Sequence, residues 1–135
     1  MAERKSGSRR LLVRSGAVVL VGCLLYGAVH WYRDQTAVHV YIRNAGTETL
    51  RDLTIYTGND PYPAGHLGPG QRVHVRVWPG YKGAISVAFL DETGRSKRFV
   101  LEGYVDSWFA GWINATIDSQ RVREEHGEFW TNVLP

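Results

Sequence analysis

The chain has a single cysteine, Cys23, and a single methionine, at its first position. Cys23 lies inside an apolar run, so the sequence after it has no thiol and forms no disulfide, even in an oxidising compartment. A domain of about a hundred residues must then be held by packing alone, which that length allows. The same scarcity leaves imidazoles and carboxylates as the metal ligands of that part, which counts against soft-metal delivery. Recognisable catalytic patterns are missing as well. There is no G-x-S-x-G elbow, no Gly-rich phosphate loop ahead of a helix and no H-E-x-x-H. No internal repeat or low-complexity segment occurs, and no stretch after Tyr32 carries a helical stripe of apolar residues. Lysine is scarce too: three, against thirteen arginines, a bias common in bacteria with GC-rich genomes.

Charge of one sign is concentrated at the start. Residues 1–32 carry five Arg/Lys against Glu3 alone, whereas residues 33–135 carry eleven against twelve Asp/Glu. The basic pI therefore belongs to the N-terminal flank and is no sign of nucleic-acid binding by the remainder. Arg4, Lys5, Arg9, Arg10 and Arg14 precede an uncharged run from Ser15 to Tyr32. As a helix, those residues rise about 27 Å, close to the thickness of a hydrocarbon core. Arg14 can snorkel, so the apolar segment extends back to Leu11. The expected organisation is a cytoplasmic flank over 1–10, a transmembrane signal anchor over 11–32 and an extracytoplasmic domain over 33–135. Positive charge on the flank holds that end inside. In a bacterium this means an inner-membrane protein with a periplasmic domain. Trp31 and Tyr32 read as the aromatic belt on the outer side.

Two other readings of the N-terminus compete with the anchor. A cleaved secretory signal needs small residues at the cut, and His30-Trp31-Tyr32 are bulky. Leu20-Val21-Gly22-Cys23 resembles the bacterial lipobox, which implies lipidation of Cys23. Only four residues carry that resemblance, the apolar stretch before it is short, and the chain stays apolar from Leu24 to Val29. The intact anchor is the better account. Gly16, Leu20, Cys23 and Gly27 share one helix face, a candidate surface for packing against another helix.

From Ala37 the periodicity becomes two. Val38, Val40 and Ile42 alternate with His39 and Tyr41; Val73, Val75 and Val77 alternate with His74 and Arg76. Ile85, Val87 and Phe89 share a face, as do Ile113, Ala115 and Ile117. Weaker strands are expected near 52–56 and 97–105, with a seventh at 120–123. Turn residues at 44–46, 58–61, 68–70, 79–80 and 91–94 separate them. Six or seven such strands predict a small antiparallel β-sandwich whose layout resembles immunoglobulin-like or fibronectin-like modules. The likeness is architectural, since no Cys…Trp…Cys pattern is present. The unpaired edge strands of such a sandwich are themselves able to recruit a partner strand.

Chemistry-bearing residues occur singly. His39 and His74 fall on polar strand faces; were those strands neighbours, the rings would meet and could hold a metal, with His66 as a third ligand. The plainer expectation is half-exposed sheet residues, with no metal and no cofactor. Asp91-Glu92 and Glu124-Glu125 read as a solvated turn and a polar tail rather than an acid–base pair. Asn114-Ala115-Thr116 matches a glycosylation sequon, without meaning in a bacterium. The departure from a bland sandwich is aromatic: Trp78, Tyr81, Trp108, Phe109, Trp112, Phe129 and Trp130 stand at turns and in the tail. They are either core fillers or anchors for a protein partner; Trp108 to Trp112 are also placed to touch a bilayer surface. The expected function is therefore non-enzymatic: a single-pass protein whose outer domain binds another envelope or membrane protein, as an accessory or assembly subunit. The alternatives are an immunity-type protein that neutralises a periplasmic toxin or hydrolase, and an enzyme working through His39, His66 or His74. No small-molecule substrate is evident.

Overall fold

The computed structural model describes residues 6–80, 82–107 and 109–131. Among them are one helix, α1 (Ser6–Gln35), and eight strands: β1 (Val38–Asn44), β2 (Leu50–Thr57), β3 (Asp60–Leu67), β4 (Arg72–Val77), β5 (Gly83–Leu90), β6 (Ser96–Val105), β7 (Phe109–Ile117) and β8 (Val122–Thr131). One compact unit ends at Gln35 and the next begins at Thr36. Ser15–Gln35 is the one described helix long and apolar enough to cross a membrane. It runs past Tyr32 through Arg33, Asp34 and Gln35. Its large apolar side chains, from Val18 to Tyr32, are exposed.

The strands form two sheets of four, ordered β4-β1-β7-β8 and β3-β2-β5-β6. Val38, Val40, Ile42, Val77, Ile113, Ala115 and Ile117 of the first sheet join Leu50, Leu53, Ile55, Ile85, Val87, Phe89 and Leu101 of the second in one core. The arrangement is sandwich-like. Two features depart from an immunoglobulin-like antiparallel sandwich. β1 runs parallel to β7, from Val38↔Gly111 to Asn44↔Ile117. In constant-type immunoglobulin domains the first strand lies beside the second; here β1 lies between β4 and β7, and β2 is in the other sheet. Five strands separate β1 from β7 in sequence, so no hairpin dictates their relative direction.

Eight strands replace the expected six or seven because β3 and a full-length β8 carry no clear alternation of apolar residues. β3 holds Pro61 and Pro63, opposite Tyr56 and Thr54 of β2. Prolines two residues apart lack their N–H on the same side of a strand, so β3 keeps its ladder to β2 only as an edge. β8 pairs with β7 from Ile117↔Val122 to Phe109↔Thr131.

Asp91 and Asp118 are buried, which corrects the view of the 91–92 turn as wholly solvated. Asp91 Oδ1 accepts from Thr93 N (2.9 Å), Thr93 Oγ1 (2.6 Å) and Arg95 N (3.0 Å). Asp118 accepts from Gln120 N (2.7 Å), Arg121 N (2.8 Å) and Arg123 Nε (2.6 Å). The Lys97 ammonium donates to Ser119 O and lies 3.7 Å from Asp91 Oδ2, tying the β5–β6 turn to the β7–β8 turn. Burial pushes the Asp118 carboxyl up, but the Arg123 guanidinium and the two N–H groups outweigh it and hold it at about 2. Asp91 is lowered as well, chiefly by the Thr93 hydroxyl. A carboxylate depressed in the folded state stabilises above its unfolded pKa, and that stabilisation is lost as pH falls through the folded value. Thermal stability of the full chain is therefore expected to fall between about pH 4 and pH 2. Asp118→Asn should flatten that fall while lowering stability at neutral pH. An unchanged acid profile in circular dichroism melts would contradict this assignment.

Candidate functional site

The outward side chains of the first sheet stand in three rows, each crossing β4, β1, β7 and β8 in turn. They are Arg72–Arg43–Thr116–Glu124, His74–Tyr41–Asn114–His126 and Arg76–His39–Trp112–Glu128. The period of two that buries Val38, Val40 and Ile42 necessarily turns His39, Tyr41 and Arg43 outward. All twelve are exposed or half-buried.

The two histidines meet. His39 Nδ1 lies 3.0 Å from His74 Nε2. The ring centroids are 5.2 Å apart with planes 10° from parallel. Tyr41 stacks on His74 at 4.4 Å and fixes its ring. His66 does not join them: it lies on β3 of the second sheet, where its Nδ1 accepts from Asp52 N at 3.3 Å. No group of three or more metal-ligating side chains occurs among the described residues. Arg43 and Arg72 are direct cross-strand partners, and like charges so placed cost stability. That juxtaposition was invisible in the sequence until β1 and β4 were known to be neighbours.

The aromatic candidates divide. Phe129 turns inward and packs on the core. Trp130, the next residue on the strand, turns outward and is 48 % exposed. Trp112 is half-buried between His39 and Glu128, and Phe109 is half-buried at the start of β7 opposite Thr131. Trp78 is half-buried after β4; the Tyr62 hydroxyl donates to its O (3.0 Å) and accepts from its N (3.2 Å), clasping the two sheets' edges together. Tyr81 and Trp108 lie outside the described residues. In the helix, Leu20, Cys23, Gly16 and Gly27 are exposed, and a Cβ added at either glycine would meet nothing of the chain.

No family model matches the chain, and no curated protein does. Among solved structures, a protein from Eubacterium rectale determined by NMR is similar at 10 % identity and a TM-score of 0.45, over 73 % of this chain and 90 % of that one. A candidate cell adhesion protein from Bacteroides uniformis ATCC 8492 is similar at 10 % identity and a TM-score of 0.41, over 71 % of this chain and 50 % of that one. Neither likeness bears on what the chain does.

Proposed function

We propose that the chain is a non-enzymatic, single-pass membrane protein whose outer β-domain binds another envelope protein, as an accessory or assembly subunit of a membrane complex. Ser15–Gln35 is the anchor, the basic flank stays in the cytoplasm and the domain stands in the periplasm of a bacterial inner membrane. The observation that carries the binding reading is the outer face of the first sheet, where Trp112 stands beside His39 of the His39–His74–Tyr41 group and Trp130 is exposed on the β8 edge. Half-exposed tryptophans on a rigid sheet cost little entropy to bury and are favoured anchors.

The test is recovery of partners from native membranes in mild detergent under endogenous expression. Trp112→Ala with Trp130→Ala is expected to weaken recovery of a stoichiometric partner by about 2 kcal/mol or more, with little change in melting temperature. Full recovery by the double variant, or membranes in which the chain is alone, would sink the proposal. Replacing residues 11–32 by an unrelated anchor separates the immunity-type alternative, which survives the swap, from a subunit docked through its helix, which does not.

A further inference from the structure

Among the described residues β4 and β8 are the outermost strands of the first sheet, and they carry opposite charge in matching order. On β4 the outward side chains are Arg72, His74 and Arg76; on β8 they are Glu124, His126 and Glu128. The three rows that cross the sheet join them level by level, so each positive residue stands at the same height as a negative one on the far edge. Arg72, Glu124 and Glu128 form no ion pair with other described residues. We infer that the partner of these edges is a second copy of this chain, whose β4 adds in parallel to β8 and continues the first sheet from molecule to molecule.

The geometry follows from the strand directions. β4 and β8 both run antiparallel to β1, so they point the same way. A copy displaced sideways by four strand spacings, about 19 Å, sets its Arg72, His74 and Arg76 beside Glu124, His126 and Glu128 without any shift along the strands. On the inner side the displacement sets Val77 beside Phe129 and Val75 beside Gly127; Glu125 beside Val73 is the one mismatched pair. The alternatives fail. Pairing β8 with β8 or β4 with β4 in antiparallel fashion, by a half-turn about the sheet normal, sets Glu124 against Glu128 or Arg72 against Arg76, like charges directly opposite. Pairing like edges in parallel turns the outer face of one copy to the inner side of the other and sets its arginines against valines. The second sheet does not extend in the same way, because Pro61 and Pro63 guard its β3 edge. The contact is heterologous and does not close on itself, so it produces rows rather than dimers. Confinement to a membrane raises the effective concentration that so small a contact requires.

Cysteine cross-linking in membranes tests this with the full chain in a Cys23→Ser background. Chains bearing His74→Cys and chains bearing His126→Cys are expected to cross-link when co-expressed and not when either is alone. The doubly substituted chain should give a ladder of dimers, trimers and higher species. Within one molecule the two positions are three strand spacings apart, about 14 Å, too far for a disulfide. Dimers formed by either single variant alone, or none in the mixture, would overturn the inference. In the ladder-forming chain, Arg72→Glu with Arg76→Glu, or Glu124→Arg with Glu128→Arg, should each cut the ladder about tenfold or more. Mixing the two reversed chains should restore it, which also shows that both are folded. A ladder indifferent to both reversals would refute the charge pairing. The readout involves this chain alone, so failure to find an envelope partner leaves it standing, and loss of the ladder leaves partner recovery standing.

Discussion

Gly111→Ala is expected to separate β8 from β7 and to leave the first sheet unfolded at that side. A Cβ at this position would lie 2.2 Å from Glu128 O, 2.9 Å from Phe129 Cα and 3.0 Å from Phe129 Cδ1. The first two are backbone atoms of the partner strand, so no side-chain rotation relieves the clash. The local φ of +157° adds to the preference for glycine. Relief requires the strands to part where Gly111 faces Phe129, and that withdraws the Phe129 ring from the core. The expected loss is about 3–5 kcal/mol, from overpacking and a vacated core position together. Against a total stability of roughly 5–15 kcal/mol, that is enough to prevent folding or to lower the melting temperature steeply. Gly127→Ala is the control. Its Cβ would meet Trp112 O at 3.0 Å and two side-chain atoms at 3.4 Å, so small adjustments suffice and the loss should be clearly smaller. Urea titration of both full-length variants in detergent decides it; equal, mild effects would mean that the approach at Gly111 is not the constraint described.

The same glycines explain what the sequence concealed. β1, β4, β5 and β7 were legible because valine and isoleucine alternate with polar residues along them. β8 was not, because two of its inward positions are Glu125 and Gly127, the latter opposite Ile113 in the space over which Phe129 lies. Read as a tail, Phe129 and Trp130 are equivalent aromatics. Read as a strand, neighbouring residues point to opposite faces, so one fills the core and the other faces solvent. β3 was hidden by prolines that only an edge strand tolerates. The parallel pairing of β1 with β7 leaves no local trace, since pairing direction depends on connections made elsewhere. Of the candidate site, the meeting of His39 and His74 followed once their strands were neighbours, whereas Arg43 opposite Arg72 depended on register. The edge charges of β4 and β8 were visible as letters, but their equal heights come from three successive strand pairings.

Asn44→Ala is expected to cost about 2–4 kcal/mol, because it leaves buried backbone groups without partners rather than merely deleting a contact. The residue reads as an ordinary turn former, yet it is fully buried at the end of β1. Its Nδ2 donates to Glu48 O at 2.7 Å and to Leu67 O at 2.9 Å, and its Oδ1 accepts from Gly46 N at 2.9 Å. Its own N donates to Gln71 O at 3.0 Å and its O accepts from Gly70 N at 2.8 Å. One side chain thus fastens β1 of the first sheet to the last residue of β3 in the second, in a domain with no disulfide to do so. Asn44→Asp is the sharper test. The shape is kept and the bond from Gly46 N survives, but a carboxylate now faces two carbonyl oxygens, which disfavours the charged form and raises its pKa. That variant should be less stable than Asn44→Ala at neutral pH and should recover part of the loss as acid protonates the group and lets it donate one bond. Its stability then rises on mild acidification, over a range in which the native chain, with Asp118 still ionised, does not gain. If melts across pH 7 to 4 show no such recovery, the amide is not the tie between the sheets.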